Sequence, residues 1–290
     1  MCQKNNDKEV YDCAWEYLLN NTPEEVTKDV IGSYLSVPNG GCKDLSCVYR
    51  RLLLSAKNGN MIDGVIMGVL GGDFERLGDV LNGFDAKWVS GEYSGNLGNL
   101  IDYICQELKL DERYKYENLN QNSRWFGYCR TIISGAEFIS QFENYQDFSR
   151  WVNAFPKDER SMAALPLLIE KEVYGLGFTL ACDFVKELGF HDYGKPDVHI
   201  IEIFKSVGLV AQNASVYEVF KAISRVARNS DSIRNSDSSA TAYEVDKLFW
   251  LIGSGYFYNH TDIGNNGRIG GMRNDFIGYF NAKCPHDAAR

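Results

Sequence analysis

Tyr174-Gly175-Leu176-Gly177-Phe178-Thr179-Leu180-Ala181 places two glycines, one residue apart, between two apolar patterns of helical period. Upstream, Pro166 to Val173 carries Leu167, Leu168 and Val173, with a proline that a helix tolerates only near its start, which predicts a short helix. Downstream, Phe178, Ala181, Cys182, Val185 and Leu188 recur at helical spacing and predict a second. Two helices therefore meet at a Gly-x-Gly turn. Such glycines let a backbone approach another surface closely, and the N–H groups that open the second helix suit an anion such as phosphate. An ordinary tight connection between helices uses the same residues.

Eighteen residues after Gly177, Lys195-Pro196-Asp197-Val198-His199-Ile200 opens a third helix, on which Ile200, Ile201, Phe204 and Val207 form an apolar stripe. Asp197 stands at its N-terminal end. A carboxylate there caps the helix and is stabilised by the positive end of its dipole. Capping and catalysis are compatible, and a carboxylate held behind a phosphate-gripping turn is placed to face the sugar of a bound nucleotide.

Residues 165 to 208 resemble the helix-hairpin-helix and Gly-Pro-Asp signature of the helix-hairpin-helix DNA glycosylase superfamily, a match that covers a small part of the 290 residues. The resemblance implies an all-α fold of two helical subdomains flanking a cleft. One, residues 40–190, is barrel-like and ends in the hairpin (166–188); the other comprises 1–39 plus 191–290 and carries Asp197 into the cleft. It implies that Gly175, Gly177, Thr179 and Leu180 hold the phosphate backbone of double-stranded DNA. The target base is extruded into a pocket, and Asp197 supports hydrolysis of the N-glycosidic bond by orienting water and stabilising the oxocarbenium-like sugar. Bifunctional members carry a Schiff-base lysine two residues after the second hairpin glycine, where this chain has Thr179. A threonine forms no imine, so a monofunctional glycosylase that leaves an abasic site is expected; Lys171 and Lys195 are the nearby amines. Damaged-base repair is the default role. Excision of a hypermodified phage base, such as glucosylated hydroxymethylcytosine, is the alternative within the family, and a non-enzymatic DNA-binding module in which Asp197 only caps is the alternative outside it.

A weaker resemblance runs from Arg50 to Ile62, where Asn58 and Asn60 match the polar loop with which relatives that recognise oxidised guanine probe the duplex; an Asn-Gly pair after an apolar helix is also a common turn. Of the aromatics, Trp125, Phe126, Tyr128, Tyr193 and Trp250 are available to stack on an extruded base, and each also suits a core position. Trp125, Tyr193 and Trp250 are the pocket candidates.

The formal net charge of −9 opposes a bulk DNA-binding surface. Against it, Lys221, Arg225 and Arg228 fall on one helix face, with Arg234 beyond, and form a local basic stripe suited to phosphate or to solvent. Eight cysteines include no Cys-x-x-Cys pair, and with four histidines neither an iron–sulfur cluster nor a zinc site is expected. The only ion left open is a monovalent cation at the hairpin. The cysteines are expected to be free thiols. Without an apolar leader or a long apolar run, a cytoplasmic protein is expected, and a monomer.

Helical periodicity also covers Val10 to Leu19, Leu45 to Leu54, Met61 to Leu70, Leu97 to Leu108, Trp125 to Phe142, Phe148 to Phe155 and Tyr243 to Phe257. Asn229 to Ser239 reads as a mobile loop. Glycines 264, 267, 270 and 271 predict an irregular tail, from which Arg268 and Arg273 reach DNA or solvent.

Overall fold

A computed structural model describes residues 2–36, 41–59, 62–155, 158–234 and 237–284. Among them the regular elements are all helices, with only isolated antiparallel bridges such as Asp231–Ser239 besides. In chain order the helices are α1 (Cys2–Asn20), α2 (Lys28–Leu35), α3 (Leu45–Lys57), α4 (Ile62–Val69), α5 (Arg76–Val80), α6 (Ala86–Tyr93), α7 (Leu97–Glu107) and α8 (Arg124–Ser140). They continue with α9 (Tyr145–Asn153), α10 (Glu159–Met162), α11 (Ala164–Glu172), α12 (Phe178–Glu187), α13 (Val198–Ser206), α14 (Val216–Asn229), α15 (Ala242–Ser254) and α16 (Arg273–Lys283).

Local chemistry sets most of the starts. Thr27, Asp44, Asp85, Asn96, Ser123, Asn144, Asp158, Asp197, Ser215 and Thr241 each accept a first-turn backbone N–H, the standard repair for the donors a helix leaves unbonded. Pro166 sits in the first turn of α11, where a missing N–H costs nothing.

The chain forms two compact units, residues 40–188 and the discontinuous 1–39 with 189–290. In the first, α8 is the axis: it touches α3, α4, α6, α7 and α11, while α12 packs on α3 and α11. Buried tyrosine hydroxyls bind α3 to α8, Tyr49 donating to the Ile132 carbonyl at 2.7 Å and Tyr128 to that of Leu53 at 2.9 Å. In the second unit α15 is the axis, touching α1, α2, α13, α14 and α16. Its core joins Leu18, Ile31, Phe204, Ile223, Phe249, Ile252, Phe276 and Phe280, each worth about 1.5–3 kcal/mol on full burial. Because α15 is enclosed on all sides, its Glu244, Asp246 and Lys247 are buried as well and need partners.

Three expectations change. Cys42 and Cys47 are joined by a disulfide, the Asp44-capped start of α3 holding their Cα atoms 5.4 Å apart, so these two are not free thiols; Cys13, Cys105, Cys129, Cys182 and Cys284 are. The glycine-rich tail is irregular only as far as Met272, after which α16 forms because Phe276 and Phe280 bury against the core. The Asn229 to Ser239 loop has tied ends: Ser232 N–H donates to Ser238 at 2.8 Å and Ala240 N–H to Ser230 at 2.9 Å. No helix of the described residues is long and apolar enough to cross a membrane.

Candidate functional site

In the unit 40–188 the turn between α11 and α12 is clamped to α8. Ser134 accepts the Tyr174 N–H at 2.9 Å, and the Thr131 hydroxyl donates to the Tyr174 carbonyl at 2.8 Å. Gly127, Arg130, Thr131 and Ser134 share one helix face, and all four meet this tyrosine or its backbone. Gly175 follows with φ +77°, a left-handed conformation that costs a side-chain-bearing residue, and Leu176 anchors the turn with 1 % exposure. Gly177, exposed, is the N-cap of α12 and offers no side-chain cap.

Three further candidates meet here. A Cβ on Gly59 would stand 2.7 Å from Leu180 Cδ1, so the exposed Asn58, which ends α3, is brought to the opening of α12. Thr179 and Leu180 are half-buried in that opening turn. Behind them α12 is held to α3 by a buried polar group: Ser55 donates to Asp183 at 3.0 Å, Lys186 lies 3.6 Å from Asp183, and Arg51 pairs with Glu187 at 2.9 Å. Asn60 lies outside the described residues.

In the other unit, the loop from Gly189 delivers Asp197. Its path is fixed by Tyr243 N–H on the His191 carbonyl at 3.1 Å and by Lys195 N–H on the Asp246 carboxylate at 2.6 Å. Asp197 N–H then donates to the Lys195 carbonyl at 2.9 Å, and Asp197 Oδ1 accepts from Ile200 N–H at 3.0 Å. Helix α13 packs closely on α15, since a Cβ on Gly253 would stand 2.3 Å from His199 Cβ. The His199 Nδ1 is buried without a hydrogen-bond partner.

Burial is the main reason the Asp197 carboxyl is held above the ordinary 3.8, and the charge of Asp246 pushes it further the same way; the Ile200 N–H, Lys195 and His199 pull it back. Asp158, an exposed cap, moves in the opposite direction, lowered by its bonds to Ser161. Asp197 therefore shares the capping geometry of Asp158 and not its acidity. Asp246, 1 % exposed, is the partner that sequence reasoning missed. The signal for it was an acid set between Val245 and Leu248, two positions after Glu244, on a helix read as buried.

The basic stripe on α14 separates into different roles. Arg225 is tied to Asp7: its Nε donates to Asp7 at 3.0 Å and its Nη2 to Asp7 at 3.1 Å and to the Leu209 carbonyl at 2.8 Å. Asp7 has no exposure, so this guanidinium is bound to α1 to neutralise a buried charge. Lys221 lies over Tyr217, 4.6 Å from its ring centre, and Arg228 is exposed. Arg273 pairs with Glu202, and Arg268 lies 3.8 Å over the ring of Tyr256.

Among the pocket candidates, Trp125 (2 % exposed) and Tyr193 (4 %) belong to cores, Tyr193 packing on Phe220, and present no free face to a base. Trp250 is only partly buried, one turn after Asp246 on α15, and meets Tyr256 and Tyr258 with ring centres 6.5 and 5.8 Å away. Lys247 Nζ lies 5.9 Å from its ring.

A cavity of about 460 Å³ lined by Lys8, Glu9, Asp12, Cys13, Glu16, Asn229, Lys283 and Cys284 contains none of the candidates. Among the described residues no three His, Cys, Asp or Glu side chains are grouped to hold a metal ion. No protein-family model matches the chain, and neither the curated proteins nor the solved structures compared with it give a match.

Proposed function

We propose that this chain is a monofunctional DNA glycosylase: it grips duplex DNA through the Tyr174–Gly177 turn and hydrolyses the N-glycosidic bond of an extruded base with Asp197. The observation that carries the reading is the placement of Asp197: the Lys195 backbone that binds the buried Asp246 carboxylate also holds Asp197, so two acids serve one helix start. A helix cap ordinarily makes a carboxylic acid stronger, as at Asp158, whereas burial and Asp246 make Asp197 weaker. A structural cap gains nothing from a second buried carboxylate, while a catalytic base gains proton affinity from it.

In the reaction, water adds its oxygen to C1′ as the C1′–N bond breaks. The bonding pair leaves with the base, which takes up a proton. Ionised Asp197 accepts a hydrogen bond from the water and offsets the positive charge that develops on the sugar. Thr179, at the start of α12, has no amine, so the product is an abasic site on an intact strand. Trp250, one turn after Asp246 on α15 and only partly buried, is the aromatic assigned to stack on the base.

A DNA-binding module without chemistry is the second reading. Its support is that Asp197 does cap α13, as Asp44 and Asp85 cap α3 and α6.

The test is release of free base, read by mass spectrometry, from normal, oxidised, alkylated, deaminated and phage-hypermodified DNA. The wild type should release one base, and Asp197→Asn none, at undiminished DNA affinity; strands should break only after alkali. The base released distinguishes repair from defence. Breakage without alkali would contradict the role given to Thr179, and no release from any DNA would leave the binding module.

A further inference from the structure

We infer that Arg130, laid on the ring of Tyr174, is a second phosphate contact beside the turn, and that the cavity next to it takes the backbone of the bound strand. This rests on reading the turn as a DNA grip.

Arg130 Cζ stands 3.7 Å from the centre of the Tyr174 ring, and Tyr174 is 43 % exposed. Arg130 is itself exposed, and among the described residues no carboxylate bonds to it. Other arginines of the surface are committed: Arg50 to Glu75, Arg150 to Asp147, Arg273 to Glu202. Stacking on a ring uses the flat face of a guanidinium and none of its five N–H groups, which stay in plane for a planar or tetrahedral oxyanion. Because the ring restricts the side chain, less rotamer entropy is lost when the anion binds.

The placement is rigid with respect to the turn. The helix that carries Arg130 also holds both backbone polar groups of Tyr174, through Thr131 and Ser134, and Gly175 is the next residue. A cavity of about 330 Å³ adjoins, lined by Arg130, Tyr174, Ser134, Asn96, Leu97 and Glu137. That volume suits a sugar-phosphate unit better than a whole ligand. Glu137 is its one carboxylate. It accepts from the Ser94 hydroxyl and lies two turns along α8 from Arg130, about 10 Å of axial rise, so it weakens the positive field of Arg130 without pairing with it.

The test is the affinity of a short labelled duplex between about 50 and 200 mM salt, by fluorescence anisotropy, for the wild type and three variants. Each neutralised phosphate contributes about 0.9 to the slope of log K against log salt, so Arg130→Ala should flatten the slope by about that amount and weaken binding several-fold at low salt. Tyr174→Leu keeps the charge, and should weaken binding while the slope holds. Glu137→Gln should tighten it. All three side chains are at least partly exposed, so unchanged melting temperatures should show that folding is intact. An unchanged slope in Arg130→Ala, with the wild type binding, would overturn this inference and leave the turn's role standing. Failure of the wild type to bind DNA at low salt would remove both.

Discussion

The Thr131 hydroxyl donates to the Tyr174 carbonyl at 2.8 Å, and the same oxygen stands 3.0 Å from where a Cβ on Gly175 would lie. The bond that clamps the turn thus also excludes a side chain from the next residue.

Gly175→Ala should therefore be costly and Gly177→Ala should not. At φ +77° an alanine pays for a left-handed backbone, and the Thr131 contact must give, for a loss of roughly 2 kcal/mol. Gly177 has φ −64° with nothing within 4 Å of a new Cβ, so only the modest disadvantage of alanine as an N-cap remains, below about 1 kcal/mol. Urea denaturation of both variants measures this; equal losses would show that the turn does not need a left-handed residue.

Asp197→Asn should raise stability at neutral pH. A carboxyl with a raised folded-state pKa binds protons more tightly folded than unfolded. Its ionised form costs stability above that pKa, and the cost vanishes as pH falls through it toward the ordinary 3.8. Asparagine caps about as well as aspartate and carries no charge for Asp246 to repel. Melting temperatures should place the variant above the wild type at pH 7, with the gap closing on acidification. A variant that melts lower at pH 7 would mean that the carboxylate is stabilised where it sits.

Asp246→Asn should move the acid limb of base release to lower pH. The limb reports protonation of Asp197, and the second carboxylate raises that pKa; asparagine keeps an oxygen for the Lys195 N–H. A pH–rate profile under single-turnover conditions reads the shift, and a limb that stays in place would show that the two acids do not interact.

Arg225→Ala should unfold more readily by roughly 3 kcal/mol, because it leaves Asp7 buried with only Asn229, at 2.7 Å, as donor. The slope of DNA affinity against salt should not change. A flatter slope without lost stability would restore Arg225 to the DNA-contacting residues.

Much of this fold was legible because its signals are local. The apolar periods of α1, α3, α7, α8 and α15 repeat within single helices, and Asp44, Ser123 and Thr241 mark their own helix starts through bonds to residues three positions on. The short helices α5 and α10 escaped because they span too few turns for a period to show. The start of α16 follows a glycine run, and only the burial of Phe276 and Phe280 accounts for its order.

The sequence by itself determined a helical chain, the Gly-x-Gly turn between α11 and α12, and an aspartate at the first position before α13. Tertiary structure alone decided what the charges are for. Arg225 and Arg130 are both arginines on helix surfaces in sequence, yet one is consumed by Asp7, 218 positions away, and the other lies open on Tyr174, 44 positions away. Likewise Asp197 and Asp246 are 49 positions apart, and nothing before the packing of α13 on α15 puts one in the field of the other. Helix period and capping are set within a few residues, whereas the energy of a charge depends on how much water it keeps and which charge stands beside it, and both follow from the fold.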